Sequence, residues 1–417
     1  MISKKLPLML MLCIANYAQA ENNFTSVKIP ENLLSTEQVT SLLQQSPDVA
    51  AARANLEVAN KENGLLVRSP YEWTARATTQ QRSVQDGSRY TEWNIGVERP
   101  IRLFNKANID KDLGQTVVLE SEAMYGEAIH EAARELAGLW VNWLTAENRL
   151  QLENRNLQSL ESSFTAVEKR TRAGDASALE LNLARAELAE QKRLTFEAST
   201  EALASYSQLT NRFPGFQQQA SALPEPIALT QEATYWQDRV LSESDELKIA
   251  ELKVRKASVQ AERLKAEQVP DPTMGVFTAS EVGGRERLVG VSLSMPIPTG
   301  LRNARAAKAL SEVEVLKKEL EMTKRQLETE VTTLLVTTRG MYDNYGFSYE
   351  NVQAMERNAQ LVQRAYSLGE TDLQSLLIAR RQAISANNGL LKARSTALKS
   401  YLELLVNAHL IWGLEHE

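Results

Sequence analysis

The side chains of this chain that could do chemistry are few: three histidines, one cysteine and a set of carboxylates beside two glycine turns. A metal centre needs three or four ligands converging on one point. His130, His409 and His416 are scattered without ligand spacing, so the sequence predicts no metal site. His130, in the stretch Glu127–Glu131, is expected on a helix surface, while metal binding by His409 and His416, near the C-terminus, is a reading that their spacing supports only weakly. No catalytic constellation appears and no serine sits in a nucleophile elbow, so the expectation is a protein that is not an enzyme and carries no cofactor. The carboxylates are more informative. Asp175, Glu180, Glu370 and Asp372 stand at or just past the turns around Gly174 and Gly369. Acidic residues there can cap the following helices, the stronger reading for Asp175 and Asp372. In an oligomer they can equally form acidic rings that favour cations in a pore, and for Glu180 the two readings are balanced.

Long helices must position these groups. Glycine and proline number only 18 and 12 in 417 residues, and Ala, Leu, Glu, Gln, Arg and Lys dominate, the composition of coiled coils. Residues 1–20 have a basic start at Lys4 and Lys5, an apolar stretch and Ala18-Gln19-Ala20, the pattern of a secretory signal peptide. The only cysteine, Cys13, lies inside it, so disulfides and thiol ligands are absent from the predicted mature chain. Removing Lys4 and Lys5 leaves 45 basic and 53 acidic residues, a net charge of −8, which offers nothing to nucleic acid. No stretch of about 20 apolar residues follows that could cross a bilayer as a helix.

The chain is a tandem repeat. RAGDASALELNLAR at 172–185 matches SLGETDLQSLLIAR at 367–380, and Gly174 pairs with Gly369, Pro100 with Pro296, Asn211 with Asn407 and Ser46 with Ser244 at nearly constant offset. The first repeat, 21–211, reads as a helix at 36–67, a β-hairpin at 70–100, a long helix at 105–171, a tip turn at 172–177 and a helix at 178–211. An equatorial linker at 212–231, marked by Phe213-Pro214-Gly215 and Leu223-Pro224-Glu225-Pro226, precedes the second repeat, 232–411. That repeat reads as a helix at 232–268, a hairpin at 271–297, a long helix at 301–366, a tip turn at 367–371 and a helix at 372–411, with a tail at 412–417. In the first half the two shorter helices, 32 and 34 residues long, together match the 67-residue long one. They are therefore expected to meet midway along it, with the linker at mid-height.

The hairpins alternate with period two, as in Trp73, Ala75 and Ala77 against Thr74, Arg76 and Thr78, around the turn dipeptide Asp86-Gly87. Strands of about ten residues with one apolar face suit an outer-membrane barrel. Tyr71, Trp73, Tyr90 and Trp93 stand where an interfacial aromatic girdle would lie. Four strands cannot close around an open lumen, so several subunits must complete the barrel.

These residues resemble the TolC-like outer-membrane efflux proteins, and within them the CzcC-type members of heavy-metal efflux systems. The resemblance spans the mature chain and rests most on SPDVAAARANLEVA, on Pro270-Asp271-Pro272-Thr273-Met274-Gly275-Val276 and on AYSLGETDLQSLLIARRQA. It implies a fold mainly α with membrane β: a homotrimer with a 12-stranded β-barrel continuous with a periplasmic α-helical barrel. It further implies a location in the Gram-negative outer membrane and docking through the tips onto a periplasmic adapter that joins an inner-membrane resistance-nodulation-division pump. The expected function is a passive exit duct for divalent cations. A drug-efflux or type I secretion channel shares the fold, and a periplasmic coiled-coil scaffold is the alternative of another class. In the family a tyrosine and an arginine on one hairpin hold an acid on another. Tyr366 matches the tyrosine and Glu180 the acid, while Thr371 holds the arginine's place, and Ser375 and Ile378 stand where a narrowing acidic pair is found. Leu179, Leu368 and Leu373, with the turn glycines Gly174 and Gly369, are expected at the adapter contact.

Overall fold

In the computed structural model residues 27–414 are described, so the leader and His416 lie outside the described residues. The first half runs α1 (Thr36–Gln44), α2 (Pro47–Val67), β1 (Thr74–Ser83), β2 (Arg89–Pro100), α3 (Lys106–Arg172) and α4 (Ala178–Arg212). The second runs α5 (Ala233–Glu243), α6 (Asp245–Ala266), β3 (Thr273–Glu281), β4 (Glu286–Ser294), α7 (Gly300–Ser367) and α8 (Leu373–Asn407). At 67 and 68 residues, α3 and α7 each extend about 100 Å at roughly 1.5 Å per residue.

Two expected helices are each broken in two. The helix expected at 36–67 stops at Gln45 and restarts at Pro47, because proline cannot donate to the preceding turn but fits the first helical position. The helix expected at 232–268 breaks at Ser244, whose hydroxyl accepts from Leu247 N–H at 3.2 Å and caps α6. Ser46 and Ser244 are the equivalent positions of the two repeats, and both breaks lie at mid-height. A third difference is at the C-terminus: α8 ends at Asn407, and residues 408–414 turn back into the core instead of extending the helix to 411.

That core lies at the equator. Trp140 and Leu144, near the middle of α3, pack with Trp236 of α5, Phe213, Phe216 and Leu223 of the linker, Leu402 and Leu405 of α8, and Trp412. Trp412 Nε1 donates to Leu34 O at 3.0 Å and Tyr401 Oη to Lys28 O at 2.7 Å, tying both ends of the described chain to this node. The helix α3 packs against α2 and α4 of its own repeat and against α6 and α8 of the other. Its counterpart α7 packs on α5, α6 and α8 and leaves Leu310, Val315, Met322, Val336 and Phe347 exposed.

The four strands form one antiparallel sheet in the order β1-β2-β3-β4. Register places Ala75 and Ala77 opposite Val97 and Ile95, Val97 opposite Val276, and Val276 opposite Val291, so one face is a continuous apolar band. The other face is polar: Arg76 meets Glu98 at 2.7 Å, and Glu92 accepts from Arg82 at 2.8 Å and from Gln80 at 2.9 Å. Phe277 crosses this face between Gly96 and Gly290; a Cβ at Gly290 would stand 2.5 Å from its ring.

Sheet and helices are joined by a buried ion pair. Lys106, the first residue of α3, is 1% exposed and donates to Asp271 Oδ1 at 2.9 Å and Val269 O at 2.7 Å. Asp271 also accepts from Leu103 N–H at 2.8 Å and from the Tyr71 hydroxyl at 2.6 Å, so one carboxylate gathers both hairpin roots. Replacing Asp271 with alanine strands the Lys106 ammonium in the interior, which is expected to cost about 3–5 kcal/mol. Denaturant unfolding of the detergent-purified protein followed by circular dichroism measures it; an unchanged midpoint would refute the role of this pair.

Candidate functional site

The tips are built by two equivalent turns. Gly174 (φ 80°) and Gly369 (φ 77°) take the left-handed conformation that ends α3 and α7. The amides of Asp175 and Glu370 then reach back to the carbonyls of Arg170 and Ala365, each at 2.9 Å. Asp372 is the N-cap of α8: its Oδ1 accepts from Ser375 N–H at 2.7 Å, which holds the carboxyl below its ordinary pKa.

The cap expected at Asp175 is instead Ser177. Its hydroxyl accepts from Glu180 N–H at 3.1 Å, and Glu180 accepts from Ser177 N–H at 2.9 Å, closing a capping box. Glu180 is therefore held by its own helix and does not reach Tyr366. The partner of Tyr366 is a residue the sequence reading missed, Arg170. Its Nη1 donates to the Tyr366 hydroxyl at 2.8 Å, and its guanidinium lies 5.7 Å from the centre of the tyrosine ring. The same guanidinium donates to Asp175 Oδ2 at 2.9 Å and Asp175 O at 3.1 Å, and the hydrogen bond to Asp175 raises its pKa above the ordinary value. Arginine, tyrosine and acid thus meet between the two hairpins of one subunit, with the arginine four residues before Gly174 rather than beside Gly369. The only sequence signal was a basic residue in the last turn of α3. Below the latch, Arg380 of α8 donates to Ser163 Oγ at 2.7 Å and to Gln363 Oε1 at 2.5 Å, a second bond between the hairpins.

Leu179 and Leu368 are 68% and 64% exposed at the tips. Leu373, expected with them, is buried with Leu160, Val167, Leu376 and Leu377, because the first turn of α8 faces the interior of the helical hairpins. Of the expected girdle, Trp73 and Trp93 project outward, 67% and 43% exposed, and Tyr90 is half-buried. Tyr71 is turned inward onto Asp271, so it belongs to the junction rather than to a lipid-facing belt.

His130 contradicts its expected position. His130 is not on the helix surface but 4% exposed, and its Nδ1 stands 3.3 Å from Asp245 Oδ2. His409 packs edge-on against it with ring centroids 3.9 Å apart. Residues 115 and 279 positions apart from His130 are brought together only by packing α6 and the end of α8 on α3. Burial lowers the pKa of His409 below its ordinary value.

A match to the family described as outer membrane efflux protein covers residues 39–212 and 236–406, both repeats. The chain belongs to this family. Solved structures share its fold. CusC aligns at 15% identity with a TM-score of 0.75, covering 89% of this chain and 90% of that one. The CmeC outer membrane channel of Campylobacter jejuni aligns at 15% identity and TM-score 0.72, covering 91% and 85%. The open-state MtrE outer membrane channel of Neisseria gonorrhoeae aligns at 20% and 0.67, covering 91% and 89%. A comparison with curated proteins finds no match.

This outer membrane efflux protein is accordingly a channel subunit of the outer membrane that extends into the periplasm. Among its described residues no helix is long and apolar enough to cross a membrane. At the tips its two helical hairpins are joined by the hydrogen bond from Arg170 to Tyr366. Arg170→Ala removes both links to Tyr366 and Asp175 and is expected to raise single-channel conductance in planar bilayers, Tyr366→Phe to raise it less, and Glu180→Ala to leave it near wild type. A conductance that responds to Glu180 and not to Arg170 would sink this assignment.

Proposed function

We propose that three copies of this chain form a 12-stranded barrel and a continuous helical tunnel, the exit duct of a tripartite resistance-nodulation-division system that exports divalent heavy-metal cations. The observation that carries the assembly is the open sheet. Strands β1 and β4 are its edges, and an apolar band including Val289, Val291 and Leu293, each at least 72% exposed, runs across one face. Unpaired backbone groups are not tolerated in lipid, so each β4 edge pairs with the β1 edge of the next subunit. The helices support the same closure. The exposed apolar side of α7 faces the next subunit, whose α2 and α4 expose Val58, Leu65, Phe196 and Leu203. Such a head-to-tail contact closes into a ring.

The duct is passive and its energy comes from the inner-membrane pump. Leu179 and Leu368, apolar at the exposed tips, dock the periplasmic adapter, and docking favours a tip in which the latch of Arg170 is released. Asp175, Glu370 and Asp372 ring the mouth with negative charge and favour cations. The metal cargo rests on the resemblance to CzcC-type proteins together with this acidic mouth. Export of drugs is the competing reading, and a likeness of similar depth to several solved channels supports it equally.

Deleting the gene in its host separates the two: loss of tolerance to cobalt, zinc or cadmium, restored by the wild-type chain, supports the metal reading, whereas loss of tolerance to dyes or antibiotics alone overturns it. The double change Leu179→Asp with Leu368→Asp is expected to abolish that tolerance while trimer mass in detergent and bilayer conductance stay at wild-type values. Full tolerance in the double variant would remove these leucines from the adapter contact.

A further inference from the structure

Among the described residues outside the tips and the barrel, one cluster of titratable groups has the composition of a ligand set. His130 of α3, Asp245 at the start of α6 and His409 just after α8 offer two imidazole nitrogens and a carboxylate oxygen, all within 4.8 Å of one another. Ligands around a tetrahedral zinc ion stand roughly 3.4 Å apart, given bonds of about 2.0–2.2 Å. The His130 to Asp245 separation of 3.3 Å already meets this, and the third ligand needs to close by about an ångström, within the reach of side-chain rotation.

We propose that these three residues bind one divalent transition-metal ion of the zinc class per subunit, as a resident ion fastening the two repeats at the equator. Four observations support it. The ligands come from three separate elements, and His130 and Asp245 are buried, so bringing them together is a product of the fold. Nδ1 of His409 is buried without a hydrogen-bond partner, and burial of such an atom is costly unless something satisfies it. The backbone at His409 is held at φ 53°, a conformation that a non-glycine residue rarely adopts, by its amide bond to Val406 O. Strain of this kind is retained where the surroundings require one side-chain direction. Finally, Lys248 Nζ holds the other oxygen of Asp245, Oδ1, at 3.2 Å, orienting the carboxylate with Oδ2 towards the histidines.

The site has room for the ion and a water ligand. All three residues line a cavity of about 660 Å³, with Glu127 and Glu403 on its walls, and Asp245 and His409 also border a second cavity of about 870 Å³. Two neutral imidazoles, one carboxylate and an exchangeable fourth position are the donor set that zinc accepts in open sites. The surrounding Glu127, Glu246 and Glu403 offset the added positive charge beside Lys248 and Arg134. This ion sits within the wall and is distinct from any cargo in the lumen, so the proposal does not depend on what the channel exports.

The test uses the full-length protein purified in detergent without a polyhistidine tag, stripped with a chelator and titrated with zinc chloride or cobalt chloride. The proposal expects one ion per subunit by elemental analysis, cobalt d–d absorption of a four-coordinate N/O site, and a rise in Tm on adding zinc. All three are lost in His409→Gln and Asp245→Asn and kept in His416→Gln. Trimer mass and bilayer conductance of each variant confirm that it folds and assembles. Zinc binding that survives His409→Gln, or a stripped wild-type channel that takes up no ion and gains no stability, overturns the proposal and leaves a hydrogen-bonded His–Asp–His packing cluster.

Discussion

An open β-sheet edge cannot be left in hydrocarbon, and most of this architecture follows from that constraint. Each subunit contributes four strands whose outer face is apolar and whose inner face carries Arg76, Gln80, Arg82, Glu92 and Glu98. The strands β1 and β4 have hydrogen-bond partners on one side only within the subunit, and water is not available in the bilayer core to satisfy the other. Subunit association is therefore a condition of membrane insertion and not an addition to a finished fold. The polar inner face has the same origin, since a closed barrel must hold water where it does not meet lipid.

Closure of the barrel passes to the helices through a small region. The hairpins are anchored where Asp271 accepts from Tyr71, Leu103 and Lys106, and nearby Asp110 receives Arg102 and Arg263 at 2.9 and 2.6 Å. Charges buried this deeply are tolerable because every one is matched by an opposite charge or a hydrogen-bond donor. The junction fixes the roots of β1, β2 and β3 relative to α3. From there α3 is covered on both flanks within the subunit, while α7 keeps one apolar flank for a neighbour.

The far end obeys different physics. The tip hairpins share a small apolar cluster around Leu160, Val167, Leu373 and Leu376, and the remaining contacts between them are polar ones that water can replace. Arg170 bridges Tyr366 and Asp175 at a half-exposed site, and Arg380 links Ser163 and Gln363 below it. Exposed charge-assisted bonds of this type contribute little to stability, so they can be exchanged for contacts with a docking partner at small free-energy change. The equator, by contrast, buries Trp140, Trp236 and Trp412 together in the main core. The exposed, exchangeable bonds thus lie at the tips and the dense core halfway along the helices.

Local sequence settled the elements. Period-two alternation around Asp86-Gly87 and Gly283-Gly284 marks the strands, helix-forming composition between Lys106 and Arg172 marks the long helices, and the offset near 196 reveals the repeat. Each of these depends on neighbours in the chain, which a sequence displays directly. The breaks at Ser46-Pro47 and Ser244 were also written there, the first in its proline, but a short interruption within an apolar repeat is easily read through. What the sequence alone could not convey were meetings between residues far apart in it. Arg170 reaches Tyr366 across 196 positions because antiparallel hairpins of matched length end at one level. Glu180 and Asp175 exchanged their expected roles because a nearby serine competes better for the free amides of α4. The sequence leaves Leu373 looking like a tip residue until the packing of α8 turns it inward. Likewise His130, Asp245 and His409, unrelated by any spacing, became neighbours once the second repeat packed against the middle of the first. Such contacts are products of helix packing and equatorial chain reversal, and only the tertiary structure decides them.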